Sequence, residues 1–124
     1  MMLLAIVDHV RETMSMDVPD LESREHLALE VDSLGQLHFE QTDEEIVVSL
    51  ARPFEPGADI LKTQTEALRK VHPDATNGAR FQVGRRGERL VFIARLAAQS
   101  ASRRDLDEVV RRLGAMHDDV QGHR

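Results

Sequence analysis

The hydrophobic period of this chain changes back and forth between 3.6 and 2 along its length, and that alternation restricts the folds open to it. Leu3, Ile6, Val7, Val10 and Met14 recur at the spacing of one face of an amphipathic helix. Asp17, Pro19 and Asp20 interrupt the pattern, and the polar stretch through Glu25 reads as a loop. From Leu27 the period is two, with Leu27, Leu29 and Val31 on one face and Ala28, Glu30 and Asp32 on the other. A glycine-containing turn over 33–36 leads to Leu37 and Phe39 alternating with His38 and Glu40. A second turn over 42–45 leads to strand formers in 46–51. Three short strands with tight connections predict an antiparallel meander.

Pro53, Pro56 and Gly57 then separate the meander from a second helical stripe, Ile60, Leu61, Ala67, Leu68 and Val71, which must stop before Pro73. Asn77-Gly78 is a turn. Ala79 to Arg85 predicts a fourth strand with Phe81 and Val83 on one face, and 84–87 a hairpin connection to a fifth strand, Arg89 to Leu96. Ser102 with Asp105 three residues on forms a capping-box-like start to a last helix. Its stripe is Leu106, Val109, Val110, Leu113 and Val120. The predicted order is α-β-β-β-α-β-β-α, an α+β fold with a mostly antiparallel, strongly twisted sheet flanked by helices. At 124 residues it is expected to form a single domain over 1–124.

Composition narrows the chemistry. The chain has no cysteine, which excludes disulfides, thiol nucleophiles and cysteine-ligated metals. It has four phenylalanines and no tyrosine or tryptophan, so a partner is expected to meet aliphatic side chains. No Gly-x-Ser-x-Gly, triad or close histidine pair is present, and no cofactor or metal is expected. Asp43, Glu44 and Glu45 read as a solvated turn rather than a calcium loop. The apolar run 1–7 is too short to span a membrane and lacks the basic flank of a signal peptide, which predicts a soluble protein without membrane insertion.

The net charge of −6 hides an asymmetry: residues 1–60 carry 14 acids and 3 bases, residues 61–124 carry 8 acids and 13 bases. Such halves suit oriented assembly with a partner. Two polar residues sit on apolar stripes. His117, between Leu113 and Val120, reads as a packed, hydrogen-bonded interior or interface histidine. Gln64 needs a hydrogen-bond partner if buried, which a second helix across a dimer axis could supply, or else lies at the exposed edge of its stripe. Arg85 and Arg86, between Gly84 and Gly87, have the outward look of a nucleic-acid-clamping GxxG loop. They join two strands rather than two helices in an acidic chain, and no nucleic-acid partner is expected.

Leu37-His38-Phe39-Glu40-Gln41 leading to Val48-Ser49-Leu50-Ala51-Arg52, then 87–96, then 106–120, resemble the SycN family of class I type III secretion chaperones. The resemblance implies a non-enzymatic role in the bacterial cytoplasm, with peripheral association to the inner membrane through the secretion apparatus. Such chaperones dimerise through the second helix and fourth strand, and an N-terminal segment of a secreted protein wraps around them in extended form. SycN-like members pair with a second small chaperone resembling YscB and bind a YopN-like gatekeeper; a homodimer serving a secreted effector is the alternative. By position the resemblance assigns Ile60, Leu61, Gln64, Leu68, Phe81 and Val83 to the dimer interface. It assigns Leu3, Leu4, Val7, Leu37, Phe39, Val48 and Leu50 to cargo, although a strand face cannot both pack inward and stay free. Two readings from other classes remain: a small enzyme using carboxylates with His117, and a nucleic-acid binder using Arg85 and Arg86.

Overall fold

The computed structural model describes residues 26–31, 34–71 and 79–121. The predicted N-terminal helix, with Leu3, Leu4 and Val7, and the Asn77-Gly78 turn lie outside them. Five strands and two helices follow in order: β1 (His26–Val31), β2 (Gly35–Gln41), β3 (Glu45–Pro53), α1 (Ile60–Lys70), β4 (Arg80–Arg86), β5 (Arg89–Ala97) and α2 (Arg103–Gln121). The strands form one sheet in the order β1-β2-β3-β5-β4, and every pairing in it is antiparallel.

Local sequence explains the meander. At the β1–β2 connection the Leu34 amide donates to the Val31 carbonyl at 3.1 Å, and Gly35 takes a φ of 129°. A side chain is barred there, because a Cβ on Gly35 would stand 2.6 Å from the Ala51 carbonyl oxygen. The β2–β3 turn is tied by Thr42, whose hydroxyl accepts from the Glu45 amide at 3.0 Å and the Glu44 amide at 3.3 Å. Asp43 and Glu44 are exposed beside it, as a solvated turn requires.

β3 is longer than its local pattern predicts. It pairs with β5 along nine positions, from Glu45 opposite Ala97 to Pro53 opposite Arg89, and this distant partner extends it beyond 46–51. The second hairpin also differs from expectation. Gly84, Arg85 and Arg86 belong to β4, and the turn is Gly87-Glu88, with Gly87 supplying a φ of 58°. The ladder therefore runs on to Arg86 opposite Arg89.

Alternation puts Leu27 and Leu29, Leu37 and Phe39, Val48 and Leu50, Phe92 and Ala94, and the half-buried Phe81 and Val83 on one face, row against row. The helices cover that face. α2 buries Leu106, Val109, Val110, Leu113, Met116 and His117, so the predicted stripe gains Met116 while its last member, Val120, is half-buried, and the helix packs on β3 and β5. Its start is a reciprocal capping box: Asp105 N donates to Ser102 Oγ at 3.1 Å, and Ser102 N donates to Asp105 Oδ2 at 3.0 Å. α1 packs on α2 and β4 and is capped by Asp59, which accepts from the Lys62 amide at 3.1 Å.

Arg52 fastens the two layers together. It donates from Nε to the Leu34 carbonyl and from Nη1 to Asp118 at 2.7 Å, tying the β1–β2 turn to α2. One turn further along, the Glu55 amide donates to Gln121 Oε1 at 2.9 Å, and Gln121 Nε2 donates to the Pro53 carbonyl at 3.3 Å.

Candidate protein-docking surface

At about 100° per residue, Ile60, Gln64, Ala67 and Val71 fall within about 60° of arc, whereas Leu61 and Leu68 lie some 80–100° round from Ile60. The predicted single stripe therefore splits. Ala67 is buried, Ile60, Gln64 and Val71 are half-buried, and Leu61 and Leu68 stand 75% and 62% exposed. These two leucines are the exposed large hydrophobics among the described residues. Asp59, Lys62, Thr65, Glu66 and Arg69 join Leu61 in lining a shallow groove along the helix.

β4 lies beside α1 and forms one margin of the sheet. Phe81 and Val83 pack against the core from it, half-buried, and the Arg112 guanidinium of α2 sits 5.0 Å from the centre of the Phe81 ring. On the opposite face Glu45 accepts from Arg80 at 2.8 Å and from Arg95 at 3.2 Å. Arg85 donates to the Gly87 carbonyl, approaches Glu88 at 3.9 Å, and lies 5.7 Å from the centre of the Phe54 ring. Arg86 is exposed.

The six residues assigned by position to a dimer interface are thus brought together on two neighbouring elements. The described cargo residues are not at the surface. Leu37, Phe39, Val48 and Leu50 are 0–1% exposed and belong to the core, so their assignment to cargo is corrected. The physical reason is that β2 and β3 are interior strands whose apolar side chains are packed into the core, β3 beneath α2, leaving no side-chain surface for a partner. The other sheet margin, β1, has no strand against its outer side among the described residues.

His117 is a core residue. It is fully buried, its Nε2 donates to the Leu50 carbonyl at 2.7 Å, and its ring meets Phe92 edge-on at a centroid distance of 4.8 Å. That bond places the proton on Nε2 and leaves Nδ1 buried without a hydrogen-bond partner. Burial, with the Arg52 charge adding to it, lowers its pKa from 6.5 to about 4 against the raising effects of the Leu50 bond and Asp118. Such a ring is shut away from any substrate, and the enzyme reading built on it loses its central group. No helix among the described residues is long and apolar enough to cross a membrane.

No protein-family model and no curated protein matches the chain. Solved structures do share its fold. A chain of the HopA1–SchA chaperone–effector complex superposes with a TM-score of 0.65 at 10% identity, over 96% of this chain and 92% of that one. A chain of the heterodimeric ExoU–SpcU complex from the type III secretion system of Pseudomonas aeruginosa gives 0.62 at 15% identity, over 91% and 92%. YbjN, a putative transcription regulator from E. coli, gives 0.54 at 15% identity, over 96% and 88%. The chain therefore has the α+β fold found in the HopA1–SchA chaperone–effector complex and in the ExoU–SpcU type III secretion complex, a five-stranded antiparallel sheet with helices packed on it. At these identities the likeness is one of fold.

Proposed function

We propose that this chain is a single-domain class I type III secretion chaperone of the bacterial cytoplasm. It binds the N-terminal segment of a secreted protein and keeps it soluble and export-competent. The observation that carries this reading is the match, over nine-tenths of the chain, to chains of the HopA1–SchA chaperone–effector complex and of the ExoU–SpcU type III secretion complex. The exposed Leu61 and Leu68 beside the β4 margin support it, because they offer a non-catalytic, aliphatic contact surface. In the finer form of the reading, the cargo is a YopN-like gatekeeper and the chain is one half of a heterodimer with a YscB-like chaperone. Ile60, Leu61, Gln64, Leu68, Phe81 and Val83 line the subunit contact. Cargo can add an extended strand to the outer side of β1, which carries no strand among the described residues, where backbone hydrogen bonds supply affinity and do not depend on the buried leucines beneath.

Co-expression with a small acidic protein from the neighbouring genes and an N-terminal cargo fragment is expected to yield a stable ternary complex. A chain that captures none of the fragments would remove the proposal. A homodimer serving an effector is the second reading, supported by the effector partner in the HopA1–SchA complex. It predicts that the purified chain dimerises alone and holds cargo without another subunit.

A further inference from the structure

β4 is an edge strand whose charged residues are all of one sign: Arg80, Arg85 and Arg86. Arg80 shares the single Glu45 carboxylate with Arg95, so positive charge remains there after pairing. Arg86 is exposed at the other end of the strand.

An edge strand can extend its sheet across a two-fold axis by pairing with its own copy. Directly opposite residues share a face of the sheet, so the axis must pass through a residue position. Pairing all seven residues of β4 centres the axis on Val83 and sets Arg80 opposite Arg86 of the other copy, twice. Sliding the centre to Gln82 or Gly84 keeps five residues paired and makes the same two arginines diagonal neighbours, about 7–8 Å apart. Every self-pairing of five or more residues therefore brings Arg80 against Arg86, and like charges so placed are destabilising. The neighbouring α1 nonetheless presents Leu61 and Leu68 to solvent, an apolar pair suited to cover by another chain.

We propose that the α1–β4 face is closed to a second copy of this chain by its own arginines. It takes a different protein chain, one with an apolar helix face for Leu61 and Leu68 and an edge strand bearing carboxylates opposite Arg80 and Arg86. The proposal rests on the chaperone reading and specifies the chemistry of its paired subunit.

A charge swap tests it. The full-length wild type, the Arg80→Glu/Arg86→Glu double variant and their equimolar mixture are compared by light scattering at about 50 mM and about 500 mM salt. Each protein alone is expected to be monomeric at the lower salt, since the introduced carboxylates repel one another as the arginines do. The mixture is expected to form a one-to-one heterodimer that weakens by at least about tenfold at the higher salt. Because the double variant gives up the Arg80 bond to Glu45, Arg86→Glu alone provides a second test. It sets Arg80 opposite a carboxylate and should convert the chain to a homodimer. A mixture that stays monomeric overturns the proposal, as does a wild-type chain that dimerises alone at the lower salt or an Arg86→Glu chain that stays monomeric. Cargo capture is read separately. Charge-swap pairing without capture would defeat the chaperone reading alone, and capture by a salt-indifferent homodimer would defeat this proposal alone.

Discussion

His117 and Gly35 each hold a position that few other residues could. The neutral form of His117 is the one the fold accepts, because charging a fully buried ring costs its hydration. Its folded pKa of about 4 lies below the unfolded 6.5. The stability it contributes is therefore complete above about pH 6.5 and is lost as pH falls towards 4. Between about pH 7.5 and about pH 5 the wild type should lose about 2 kcal/mol through this group. His117→Gln keeps a donor for Leu50 without a titration in that range, and urea unfolding at the two pH values should show the extra loss in the wild type only. Equal losses in both proteins would remove the histidine from the account.

Gly35 is constrained by space as well as by φ. Gly35→Ala would press a Cβ into the Ala51 carbonyl and is expected to cost more than about 2 kcal/mol. Gly57→Ala, at a φ of 78° with nothing within 4 Å, should cost about 1 kcal/mol. Comparable midpoints for the two variants in guanidinium unfolding would contradict the close contact.

At the scale of elements, α1 was only partly legible. Its apolar positions could be counted in the sequence, but not their division into a face that packs and a face that does not. That division is set by where α2 and β4 lie. Leu61 and Leu68 are exposed, so replacing both by serine should change the stability of the isolated chain by less than about 1 kcal/mol. The same change should weaken assembly with the partner subunit at least about tenfold. Unaltered assembly in a pull-down would show that α1 is not the contact. α2 was legible except for Met116, which the stripe omitted, because its cap, most of its stripe and the histidine within the stripe are local features. β4 was misread at its end, where the Gly84 to Gly87 run suggested a longer turn. The pairing with β5 carries the strand one residue past the predicted Arg85, to Arg86.

For the molecule as a whole, element order and sheet class followed from periodicity, whereas the assignment of surface did not. Leu37, Phe39, Val48 and Leu50 carry the same alternation whether they face a helix or a cargo. Only the layer above them decides, and the Arg52 link to Leu34 and Asp118 that fastens that layer has no sequence signature. Arg112 escaped notice for the same reason, since Phe81 lies 31 positions earlier and meets it only in the fold. The sheet order also bears on synthesis. The meander can zip up as soon as 26–53 emerge, but its last strand waits for 89–97, which pair with it from across two intervening elements. Until α2 follows, β3 lacks the helix that packs on its apolar side chains. During that interval a protein whose proposed task is to shield another chain would itself be a client for shielding.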